Sequence, residues 1–273
     1  MAETLLHVTL ADEVLKNNSS STLKPLLQKH HHDYILGAII YDLSYFENLL
    51  LNGVRKLRKQ NIHYSKSGQI LHEQYGHLIT VDAVVNAASD SEKAMTCGMI
   101  THFAADIIFH KEIEIMVSEN PSETHSSIED EMALHVHYEL LGHSGVGTGY
   151  SFDAFNIKLS MKLENFYNNL IAPYPLKDMF EKKIKAQLRS LRLYGELNSF
   201  PFAPWVKTLA DDNFKLAKKS LELTQKSLTL SNQLIENTQN FWNKKITENE
   251  FRNSFPLIKM SDGKPVTADE NEK

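Results

Sequence analysis

Residues 101–110 read Thr101-His102-Phe103-Ala104-Ala105-Asp106-Ile107-Ile108-Phe109-His110. Each residue of an α-helix advances about 100°, so side chains four apart lie near one face. His102, Asp106 and His110 then form one polar stripe on a helix whose other faces are Phe, Ala and Ile. A helix apolar nearly all round is predicted to be buried. Three ionisable groups in a low-dielectric interior, with no Lys or Arg on the same stripe, cost several kcal/mol unless something satisfies them. Divalent cations would do so. The stripe spans about 12 Å along the axis, too long for His102 and His110 to share one ion, but Asp106 lies between them and reaches toward both. That spacing suggests two metals bridged by Asp106.

Outward from this stretch, helical spacing dominates. Only 11 Gly and 8 Pro punctuate 273 residues, and few runs alternate as strands do. The surrounding helix is predicted over 91–119 and is stopped by Asn120-Pro121. Upstream, helices are expected over 3–16, from about Ser21 with Pro25 in the first turn, within the apolar run 34–41, over 42–60, and over 73–88 after a loop at 61–68. Downstream they are expected over 122–141, 153–170, 175–197, 206–243 and 248–255. The glycine-rich run 142–149 lacks the Gly-Lys-Ser/Thr of a phosphate-cradling loop and reads as a connection. The expectation is an all-α, single-domain multi-helix bundle over 1–256, followed by a polar, disordered tail over 257–273.

Composition narrows the chemistry. All 13 histidines lie at or before His143, against a single cysteine, Cys97. One cysteine leaves no internal disulfide and no thiolate zinc finger, so a metal must be held by His and carboxylate. The formal charge is -5, from 29 basic and 34 acidic residues, which gives no strong nucleic-acid signal. No apolar run approaches the roughly 20 residues of a membrane span, and mean hydropathy is -0.34. The N-terminus carries an acidic residue where a secretory leader carries Lys or Arg, so a cytoplasmic location is expected.

A second pair follows the first stripe. His125 and Glu129 are four apart, and with His110 and Asp106 they could complete a four-coordinate site of the nitrogen and oxygen ligands zinc accepts. The pattern His-x3-Asp-x3-His followed by His-x3-Glu resembles the zinc-dependent phospholipase C family, whose relatives include single-strand-specific zinc nucleases. Gly37-Ala38-Ile39-Ile40-Tyr41-Asp42 is similar to that family's segment ending in a metal-binding aspartate, with Tyr41 in the place of a proline. His7, in Leu6-His7-Val8-Thr9-Leu10-Ala11, is similar to its N-terminal histidine. The family uses one more histidine between Asp42 and His102; His63, His72 and His77 are the candidates, and the stretch from His77 to His102 resembles the shorter family members best.

The resemblance spans about Leu6 to Glu129. It implies an all-helical metal-dependent phosphoester hydrolase with ligands His7, Asp42, His77, His102, Asp106, His110, His125 and Glu129, and with Asp42 as ligand or general base. Family members that hold three zinc ions use a processed N-terminal tryptophan, whereas this chain starts at Met1, so two ions are expected and the third stays open. The substrate implied is a phosphoester small molecule or a phospholipid head group. The rivals are a nuclease or nucleotidase on the same cluster, and a helical binding or scaffold protein that keeps the metal site without turnover. His72 and His77 are five apart, hence about 140° around a helix, which argues against a His-Glu-x-x-His protease site.

Overall fold

The computed structural model describes residues 2–18, 22–46, 66–141, 159–176 and 214–267. These form an all-α bundle: α1 (Ala2–Asn17), α2 (Leu23–Lys29), α3 (His31–Ile39), a 3-10 turn (Asp42–Phe46), α4 (Lys66–Ile70), a π turn (Leu71–Tyr75), α5 (Gly76–Asn86), α6 (Asp90–Glu119), α7 (His125–Leu141), α8 (Met161–Ile171), α9 (Phe214–Trp242) and α10 (Glu248–Ser254). Among the described residues there is no strand, only one bridge between Ile258 and Pro265.

Helix α6 is the hub. It starts where Ser89 and Glu92 form a reciprocal cap: the Ser89 hydroxyl accepts from the Glu92 N–H, and the Glu92 carboxylate accepts from the Ser89 N–H at 2.8 Å. It stops at Asn120, before Pro121, which cannot continue the backbone ladder. From Ala94 to Phe109 only Ile108 is less than buried, as its all-round apolar sequence predicts. Helices α3, α9, α1, α5, α7 and α8 all pack against it.

The tightest crossing is between α3 and α6. A Cβ on Gly37 would sit 1.9 Å from the Met95 carbonyl oxygen, and one on Gly98 would sit 2.0 Å from that of Tyr34. Both positions therefore exclude any side chain, and the two backbones touch. Cys97, beside this contact, is buried and free, a small packing residue.

Several expected boundaries shift. The predicted helix over 42–60 begins as a 3-10 turn that ends at Phe46, with 47–65 outside the described residues. The predicted loop at 61–68 already contains the start of α4 at Lys66, and the helix predicted from Glu73 is continuous with it through the π turn. The segment from Leu257 to Thr267, expected as tail, is instead folded: Met260 is fully buried and the Lys259 N–H donates to the Lys264 carbonyl at 2.9 Å. The Met260 side chain packs against Gly76, where a Cβ would lie 2.1 Å from its sulfur. The connection 142–149, positions 177–197 of the helix expected over 175–197, His63 and His143 lie outside the described residues.

Candidate metal centre

Five buried side chains from four elements meet at the middle of α6. His7 comes from α1, Asp42 from the 3-10 turn, His72 from the π turn, and His102 and Asp106 from α6. None is more than 4% exposed. Asp106 is the centre: one carboxylate oxygen is 3.1 Å from His7 Nε2, the other 3.0 Å from His102 Nε2 and 3.4 Å from His72 Nε2. Asp42 lies opposite, 3.5 Å from His72 Nε2, 3.6 Å from His7 Nε2 and 3.7 Å from His102 Nε2. The rings of His7 and His102 stack with centroids 3.7 Å apart.

The outer ring nitrogens are tied to the backbone. Nδ1 of His72 donates to the Gly68 carbonyl, that of His102 to Ala38 and that of His110 to Met260, each at 2.8 Å. A carbonyl only accepts, so each of these Nδ1 atoms carries hydrogen and each Nε2 turns its remaining position inward. The Ala38 carbonyl reaches His102 because Gly37 and Gly98 let the two helices touch.

A second group lies one to two helical turns further along. His110 Nε2 is 3.1 Å from Glu129, and His125 Nε2 is 3.9 Å from it. Glu114, one turn after His110, accepts from His125 Nδ1 at 2.8 Å. Asp106 is 3.9 Å from His110 Nε2 and links the two groups. Exposure rises along this line, with side-chain values of 2% at Asp106, 13% at His110 and 32% at His125.

The electrostatics follow from the crowding. Burial and the neighbouring His102 keep His7 below the ordinary imidazole value. Burial also opposes charge on His102, but the Asp106 and Asp42 carboxylates outweigh it and raise this group to about 9. Burial disfavours the Asp106 anion, yet His102, His110 and His7 hold its carboxyl well below the usual range.

The donor set suits a divalent cation. His102 Nε2, Asp106 Oδ2 and Asp42 Oδ2 are fully buried and make no hydrogen bond, although oxygens and nitrogens stand 3.0–3.7 Å apart. Carboxylates and imidazoles packed this closely in a dry interior are costly without added positive charge, which a bound cation supplies. Three triplets have ligand atoms mutually within 4.8 Å: His7, His102 and Asp106; Asp42, His72 and His102; and His110, His125 and Glu129. Imidazole and carboxylate are donors zinc takes, and ring nitrogens fixed by backbone carbonyls are the usual outer support of such ligands.

Seven of the eight sequence-predicted residues, His7, Asp42, His102, Asp106, His110, His125 and Glu129, fall in these triplets. His77 does not. It is buried on α5, and His72 takes the position beside Asp42 instead. The resemblance to shorter family members favours His77, whereas the π turn over Leu71–Tyr75 presents His72 toward Asp42. Tyr41, where a proline was expected, walls the cluster: its ring meets His102 edge-on at 5.2 Å, and its hydroxyl bonds Thr80 at 2.6 Å.

The chain matches the family model for zinc-dependent phospholipase C over residues 6–194, and it belongs to that family. No curated protein and no solved structure matches it significantly. The buried His and Asp clusters fit a metal-dependent protein of the phospholipase C type. Among the described residues, no helix is long and apolar enough to cross a membrane.

Proposed function

We propose that this protein hydrolyses phosphate esters with zinc held by two groups of its side chains. The inner group is His7, Asp42, His72, His102 and Asp106; the outer group is His110, His125 and Glu129, with Asp106 between them. The observation that carries the reading is the convergence of unbonded, buried Nε2 and carboxylate atoms on α6. When bound, zinc supplies Lewis acidity toward phosphoryl oxygens and lowers the pKa of water.

The side chains divide the remaining work. Asp42 Oδ2 has no hydrogen bond and takes the proton of the attacking water. The outer group is the exposed end of the line, so the substrate phosphate approaches past His125 and His110. Tyr41 and the apolar faces of α3 and α6 keep bulk water from the inner group, which strengthens each charge interaction there.

The test is a side-by-side assay of zinc-loaded protein on a chromogenic phosphodiester, phosphatidylcholine and single-stranded DNA. The expected result is cleavage of the phosphodiester and the phospholipid, reduced at least about a hundredfold in His102→Ala. Cleavage of DNA in preference to the other two would make it a nuclease. Bound zinc with no turnover on any substrate would make it a binding protein. Activity that survives His102→Ala would remove the cluster from the chemistry.

A further inference from the structure

The folded C-terminal segment touches both proposed metal groups at once. Between Leu257 and Val266 the chain closes a turn: Lys259 N–H to Lys264 O at 2.9 Å, Val266 N–H to Leu257 O at 3.0 Å, and Gly263 N–H to Lys259 O at 3.0 Å. At its tip, the Met260 carbonyl accepts from His110 Nδ1 at 2.8 Å. The N–H groups of Met260 and Ser261 donate to the His72 carbonyl at 3.1 and 3.3 Å.

Each contact has a physical reason. A π turn disrupts the regular backbone ladder, so partners from outside the helix become useful where it occurs; the His72 carbonyl finds two. His110 is the one ligand on α6 that could swing, being only partly buried, and the Met260 carbonyl fixes which nitrogen faces Glu129. The turn is held against α6 by fit. Gly263 has φ +64, and a Cβ there would sit 2.6 Å from both the Ile107 carbonyl oxygen and Lys111 Cβ. Gly76 leaves room for Met260, since a Cβ at that position would lie 2.1 Å from its sulfur. The turn itself lies beyond residue 194, where the family match ends.

We propose that the turn from Leu257 to Pro265 is a clasp that positions ligands of both metal groups, with the Met260 backbone setting the tautomer of His110 and anchoring the π turn that presents His72. This rests on the metal reading above. The clasp residues touch no substrate; they act through His110 and His72.

Two measurements on full-length protein test it. The first is the ¹⁵N shift of the His110 ring in metal-free protein, which reports the tautomer. Wild type is expected to carry hydrogen on Nδ1, and Gly263→Val, which cannot keep the turn seated, is expected to lose that preference. The second is zinc titration by chelator competition. Gly263→Val should bind the outer ion about 10–100-fold more weakly, with helix content intact, while Lys264→Ala, on the exposed rim of the same turn, should bind as wild type. Wild-type affinity in Gly263→Val at both sites would overturn the clasp, and so would a wild-type His110 that carries hydrogen on Nε2 alone. Should Gly263→Val fail to fold, the wild-type tautomer decides. The expected tautomers with no zinc uptake by any form would leave the clasp standing and sink the metal reading.

Discussion

At the residue scale, Asp106 holds the account together. Its two oxygens meet three buried imidazoles within 3.4 Å and a fourth, His110, at 3.9 Å. In metal-free protein the proton near it sits mainly on His102, raised to about 9, while its stacked neighbour His7 is lowered. The sign for metal uptake follows. Below about pH 9, zinc must displace that proton, so affinity rises with pH, by up to about tenfold per unit for one proton, and levels off above the raised value. Chelator competition at pH 6.5, 7.5 and 8.5 measures this, and a flat profile would contradict it. A second prediction separates two neighbours. His72→Ala should lose zinc from the inner group, and His77→Ala should keep the wild-type metal content, as read by elemental analysis; the reverse outcome would restore the assignment made from sequence. The stripe His102, Asp106, His110 was legible because α6 is regular, and the pair His125 and Glu129 for the same reason. His72 was not, because the choice among His63, His72 and His77 rested on resemblance, and nothing in Leu71-His72-Glu73-Gln74-Tyr75 announces the π turn that faces His72 toward Asp42.

At the scale of the element, the long helix and its partner α3 set the geometry of the site. Most helices followed from apolar spacing and from punctuation by Pro, as at Asn120-Pro121. The 3-10 turn at Asp42 did not, because it depends on how α3 ends against α5 and α6 rather than on local propensity. The close approach at Gly37 and Gly98 is also invisible to periodicity: a buried glycine in a helix looks like a local weakness until its partner backbone is known. Gly98→Ala forces α3 and α6 apart and lengthens the 2.8 Å bond from His102 Nδ1 to the Ala38 carbonyl. The expected cost is about 1–3 kcal/mol of stability, as for other overpacked cores, together with weaker zinc binding at the inner group. Thermal unfolding with and without added zinc reads both. A variant that is destabilised but binds zinc normally would show that the crossing supports the fold and not the ligand.

At the scale of the whole molecule, burial of the imidazoles falls from the inner group to the outer one, so the protein presents a dry, preformed set of imidazoles and carboxylates at the end of a line that opens at His125. Five of the 13 histidines before residue 144 lie along this line. Of the 13, His7, His72, His102, His110 and His125 gather around Asp42, Asp106 and Glu129, while α9 and α10 supply scaffold. The C-terminal turn is what composition misled about most, since a mostly polar stretch with a single methionine reads as tail, and only the absence of a side chain at Gly76, elsewhere in the chain, gives that methionine somewhere to pack. The central claim is that these side chains are a metal centre. Elemental analysis of the purified protein, before and after stripping with a chelator and reloading, tests it most directly. The account predicts two zinc ions per chain, lost on chelation with a fall in melting temperature and regained on reloading, and reduced in His102→Ala. A protein that contains no zinc, takes none up on titration and melts at the same temperature with or without it would contradict the account.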